Sequence, residues 1–102
     1  MDKQVKTDTF SLKKKGVPII VVGAVQESEA VVNACRESGI EVSAICDSEP
    51  KTENVLCGLK VIHSPTLPKK FPKARFIIAC QHVQDVVEQL TGYGYDEFYS
   101  PL

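Results

Sequence analysis

Four consecutive β-branched residues, Ile19, Ile20, Val21 and Val22, stand just before a glycine, Gly23, and constrain the fold more than any other stretch of the chain. A strand that is apolar on both alternating faces suits a position covered by helices on both sides, at the centre of a parallel sheet. Beyond Gly23, the apolar residues Ala30, Val31, Ala34 and Cys35 recur at helical spacing. They predict a helix from about Gln26 to Ser38, stopped at Gly39, where a glycine takes the left-handed C-terminal cap most easily. Residues 40–46 return as a second strand, with Asp47 at its end. Parallel strands joined by a helix need a right-handed crossover, so residues 17–47 seed an open α/β sheet.

The remaining segments fit around this unit. Residues 48–54 form a polar loop containing Pro50. The stretch VLCGLKVI, residues 55–62, carries Gly58 at its middle and predicts a bent or hairpin strand turning at Cys57 and Gly58. A longer second crossover would hold a helix here, so this one is shortened. Pro65, Pro68 and Pro72 leave room for one helical turn around residues 66–70. ARFIIAC, residues 74–80, is the next apolar strand. Val83, Val86, Val87 and Leu90 then fall at i, i+3, i+4 and i+7, an amphipathic helix closed by Gly92. Residues 97–99 are short and aromatic and suit a last, edge strand. Residues 1–16 are a polar arm, with a short helix as one option, ending in Lys13, Lys14 and Lys15. The fold class is therefore a small three-layer α/β domain over residues 17–102. Its parallel strands run in the order 3-2-1-4-5 with helices on both faces. The abrupt end at Ser100, Pro101 and Leu102 points to a piece of a longer polypeptide, with a natural C-terminus as the alternative.

Composition narrows the function classes. A chain of 102 residues holds one core. Its net charge of −1 offers no electrostatic basis for binding nucleic acid or an anionic membrane. No apolar run reaches membrane-spanning length, and the first residues lack the apolar core of a signal peptide, so a cytoplasmic location is expected. Cys35, Cys46, Cys57 and Cys80 form no CxxC pair and are expected to be buried, reduced thiols. With His63 and His82 equally scattered, no metal site is expected.

Laid out in order, the strand and glycine turn at VVGA, then GIEVSAICDSEP, CGLKVI, SPTLP and ARFIIAC resemble the small Rossmann-like N-terminal domain of nucleotide-sugar N-acetyltransferases of the left-handed β-helix class. The same domain type accompanies FkbM-type methyltransferases. The resemblance runs over nearly the whole chain from Val17, through the acid Asp47, the loop to Pro50, and Gly58 to Pro65. It implies a module that recognises a nucleotide or nucleotide-sugar, possible ligands including a uridine nucleotide-sugar, for a catalytic domain that is covalently linked or a separate partner. A homo-oligomer is left open. It also implies ligand contacts at Gly23 and Ala24, and at Asp47. In the family pattern the turn runs close to G-x-G-x-x-G, whereas this chain has Gly23, Val25 and Ser28 at the glycine positions. Val25 places a branched side chain where the second glycine lets backbone amides approach a phosphate. Glu27 and Glu29 add negative charge at a helix end that would otherwise attract an anion.

In a sheet of this order, a ligand crevice opens where the loops leave the first and fourth strands in opposite directions. The residues expected there are Gly23, Ala24 and Val25 on one side and Cys80, Gln81 and His82 on the other. Asp47 and Ser48, one strand over, are placed to take ribose hydroxyls. No catalytic residue is expected: Cys80 and His82 could be a thiol and its base, but an apolar strand end suits an inert cysteine better. The alternative function is a non-catalytic interaction or scaffold domain that keeps the fold and has lost its phosphate-binding loop.

Overall fold

The β-branched run is the middle of a sheet. The computed structural model describes residues 5–6, 16–23, 26–47 and 55–100. In chain order their strands are β1 (Val5–Lys6), β2 (Ile19–Val22), β3 (Ala44–Asp47), β4 (Val55–Leu56), β5 (Leu59–His63), β6 (Arg75–Ile78) and β7 (Phe98–Tyr99). The helices are α1 (Gln26–Glu37), α2 (Leu67–Lys70) and α3 (Val83–Gly92), with a 3-10 turn at Ser64–Thr66 before α2. The sheet order is β1-β7-β6-β2-β3-β5-β4. Every pairing is parallel except the β4–β5 hairpin. The expected order 3-2-1-4-5 is thus observed in β5-β3-β2-β6-β7. None of the described helices is long and apolar enough to cross a membrane.

Strand alternation divides the core into two apolar layers. Ile20 and Val22 of β2, Ala44 and Cys46 of β3, Phe76 and Ile78 of β6 and Phe98 of β7 face α2 and α3 through Leu67, Val87 and Leu90. Ile19 and Val21, Ile45, Ile77 and Tyr99 form the other layer, with Val32 and Cys35 of α1. Helices therefore cover both faces. Within the first layer, Phe76 meets Tyr95 edge-on at a centroid distance of 4.7 Å, and Phe98 lies 6.1 Å away on its other flank. Arg75, though buried, is paired: its Nε and one terminal nitrogen donate to the Val17 carbonyl at 3.2 and 2.7 Å.

Both long helices end in the same device. At the end of α1, Ile40 N donates to Cys35 O at 2.8 Å and Gly39 N to Arg36 O at 3.2 Å, with Gly39 at φ +77°. This is the Schellman arrangement, and Ile40 and Cys35 share an apolar layer as it requires. In α3 the last helical residue is Gly92, but the left-handed cap lies two residues further on. Gly94, at φ +100°, takes the left-handed position, while Tyr95 N reaches back to Leu90 O at 3.1 Å. Tyr95 and Leu90 are both core residues, so burial of the ring selects the second glycine.

Three other expectations change. The arm contributes a strand: Val5 and Lys6 pair in parallel with Phe98 and Tyr99 and cover the open edge of β7. Consequently β7 is an interior strand and not the edge. The second parallel strand begins at Ala44 rather than at residue 40, although Ser43 N still donates to Ile19 O at 2.8 Å just before it. The hairpin forms where expected, with Cys57 at φ +55° and Gly58 at φ +77°, the two left-handed residues of a type I′ turn.

Candidate functional site

The carboxyl ends of β2 and β6 lie side by side, and the chain leaves them toward opposite faces. The ladder holds to the last residue, with Ala79 N donating to Val22 O at 2.9 Å and Gly23 N to Cys46 O at 2.8 Å. Past that point α1 goes to one apolar layer and α3 to the other. A crevice between departing loops follows from this topology. Gly23 sits at its base with φ +116°, a conformation that L side chains rarely adopt.

A Cβ added at Gly23 would meet Ser28 Oγ at 3.4 Å, Cys80 Cβ at 3.5 Å and Cys80 N at 3.6 Å. The first turn of α1 and the loop after β6 therefore close on the glycine from two sides. Ser28 is fully buried and its hydroxyl has no hydrogen-bond partner among the described residues. Cys80 is half-buried, and Gln81 and His82 are exposed. His82 directly precedes α3; its side chain makes no capping hydrogen bond, while its carbonyl accepts from Val86 N at 3.1 Å.

Asp47 ends β3 one strand over, half-buried, and its register partner on β5 is His63. Beneath them Cys46 Sγ and Ser64 Oγ lie 3.0 Å apart, both buried. Burial pushes the Cys46 thiol up to about 11, against the hydrogen bond from Ser64 and with help from the charge of Asp47. That thiol is protonated at neutral pH. Among the described residues, no lysine or arginine lies between β2 and the last turn of α1 or between β6 and the end of α3, whereas Glu29 is exposed on α1; the segment leaving β5 carries Lys69 and Lys70 at the end of α2.

Of the expected site residues, Gly23 and Cys80 stand side by side, Gln81 and His82 follow Cys80 as exposed residues before α3, and Asp47 ends the neighbouring strand β3. Ala24, Val25 and Ser48 lie outside the described residues. The side chain of Glu27 does too. His63 and Ser64 join the rim without having been expected there; the signal was the strand end directly before Pro65. All four cysteines are free, but only Cys35 and Cys46 are buried. Cys57 is lifted out by its turn, and Cys80 by standing beyond the last paired residue of β6. Among the described residues no cluster of histidine, cysteine and acid could hold a metal ion.

Backbone comparison agrees with this topology. The chain is similar to the crystal structure of RSP, a Rex-family repressor, with a TM-score of 0.62 and 16% identity, covering 84% of this chain and 52% of that one. It is similarly related to the structure of RSP in complex with beta-NADH, with a TM-score of 0.62 and 17% identity, covering 88% of this chain and 54% of the other. The fold is Rossmann-like. The chain spans about half the length of these Rossmann-like relatives, and no protein-family model and no curated protein matches its sequence.

Proposed function

We propose that this domain binds a nucleotide in the crevice at Gly23. The observation that carries the proposal is the divergence of α1 and α3 around a glycine turn at the carboxyl ends of β2 and β6. Sheets of this kind hold nucleotides at that switch point. One of the similar structures holds beta-NADH, which supports the same ligand class. Asp47 takes ribose hydroxyls, and Gln81 and His82 supply donors and acceptors across the crevice. With no basic side chain among the described residues from Gly23 through the first turns of α1 or from Ala79 through α3, and with Glu29 in the first turn of α1, affinity rests on base and ribose contacts more than on phosphate. The domain contributes recognition, and chemistry belongs to a linked or partner catalytic domain. A nucleotide-sugar, for an acyltransferase or methyltransferase, is the finer form of this reading and rests on the sequence resemblance around Asp47 and Gly58 to Pro65.

Titration with NADH, ADP, GDP and UDP-N-acetylglucosamine, followed by amide chemical shifts, tests it. Shifts at Gly23, Asp47, Cys80, Gln81 and His82 are expected. Binding by none of the four at millimolar concentration refutes the proposal and favours the interaction-domain alternative, for which the acid Glu29 in the first turn of α1 is the supporting observation.

A further inference from the structure

Two thiols are half-buried, Cys57 in the turn between β4 and β5 and Cys80 past the carboxyl end of β6. Cys57 lies in the turn that precedes β5, where Arg36 at the end of α1 donates to its carbonyl at 2.6 Å. Cys80 follows β6 at the carboxyl edge, in the corner it shares with Gly23 and Ser28. The Ser28 hydroxyl is 0% exposed, without a partner among the described residues, and 3.4 Å from the same point that Cys80 Cβ approaches to 3.5 Å. An unpaired buried hydroxyl is relieved by a polar atom brought beside it, so this corner is suited to a polar ligand atom. On its inner side Cys80 packs against the apolar layer that includes Val83, Val86 and Val87. A close-packed layer does not admit an added group. With that side closed, a substituent on the Cys80 sulfur is left the side of Gly23 and the solvent in front of it.

We infer that Cys80 is a thiol switch on the nucleotide site: a mixed disulfide at its Sγ blocks the crevice, and bound nucleotide shields the same sulfur. The inference rests on the nucleotide-binding reading. In the reaction, the Cys80 thiol releases its proton to solvent and the thiolate attacks one sulfur of a small disulfide such as oxidised glutathione. The S–S bond of the reagent breaks, one glutathione departs as a thiolate that takes up a proton, and the other stays bonded to Cys80. A reducing thiol reverses the exchange.

Cys57 serves as an internal control. The chain is treated with iodoacetamide, and labelling of Cys57 and Cys80 is followed by peptide mass spectrometry with and without NADH or UDP-N-acetylglucosamine at ten times the Kd from titration. Labelling of Cys80 should slow by about eleven-fold, the factor 1 + [L]/Kd, while Cys57 is unaffected. Glutathionylation of a Cys57→Ser chain should weaken binding at least tenfold, and a reducing thiol should restore it. Equal Cys80 labelling with and without ligand, failure of Cys80 to react while Cys57 does, or unchanged binding after glutathionylation overturns the switch alone. If the unmodified chain binds no nucleotide, the nucleotide-binding reading fails first and the switch falls with it.

Discussion

Replacing Gly23 by alanine distinguishes backbone conformation from space as the reason for a glycine there. The added Cβ would make contacts of 3.4, 3.5 and 3.6 Å with Ser28 and Cys80, ordinary van der Waals separations that expel nothing. The conformation is the obstacle: at φ +116° an L residue is strained by about 1–3 kcal/mol. Alanine also reduces the freedom of the unfolded chain, which offsets about 0.4–1 kcal/mol. From the middle of each range the net loss is about 1.3 kcal/mol. Gly39→Ala is the comparison, since φ is +77° and nothing lies within 4 Å. It incurs only the left-handed penalty of about 1–2 kcal/mol before the same offset. Urea unfolding at equilibrium, with the slope m unchanged between variants, measures both. A loss below about 0.5 kcal/mol for Gly23→Ala would refute the conformational argument, and one above about 4 kcal/mol would show that packing dominates. Because the new methyl lands between Ser28 and Cys80, nucleotide affinity should fall at least tenfold in the same variant.

Alkaline stability should report on Cys46. Its folded-state thiol titrates near 11 against an ordinary value of 9.0, so between those pH values the unfolded chain has released a proton that the folded chain retains. Stability present below pH 9 is then lost as pH rises to about 11, by about 2–3 kcal/mol, and thermal melts of Cys46→Ala should show a correspondingly shallower decline. Phe76→Ala removes the ring between Tyr95 and Phe98 and should cost about 3–5 kcal/mol in urea unfolding; a loss under about 1 kcal/mol would mean that the layer closes around the gap. Arg75→Met keeps the stem and deletes the two bonds to Val17 O, with an expected loss of about 1.5–3 kcal/mol. Unchanged unfolding in that variant would show that the fork is dispensable.

The central strands were legible because burial on both sides leaves a direct mark: β2, β3 and β6 are apolar at nearly every position, and their order follows from right-handed crossovers. The hairpin and the α1 cap were legible for a different reason. Gly58 and Gly39 occupy backbone conformations that few other residues accept. Local pattern failed where a distant partner decides. Gly92 and Gly94 are equivalent as signals, and only the burial of Tyr95 against the core chooses between them. Val5 and Lys6 have no period of their own and become a strand through the vacant edge of β7. At the site, the glycine turn and the residues after β6 could be located from topology. The pairing of Asp47 with His63 depends on strand register, and the unpaired hydroxyl of Ser28 on how closely α1 approaches β2.

The β1–β7 ladder also sets an order of events during folding. It joins residue 5 to residue 98 and residue 6 to residue 99, so forming it closes a loop of nearly the whole chain. The entropy of that closure is lost before two residue pairs can return anything. The β2–β3 and β2–β6 pairings close shorter loops and bury more apolar surface, and so can form without it. During synthesis Val5 is made before its pairing partners, which belong to the last of the described strands. Weakening Val5 should therefore speed unfolding and leave the refolding rate nearly unchanged, a φ-value close to zero.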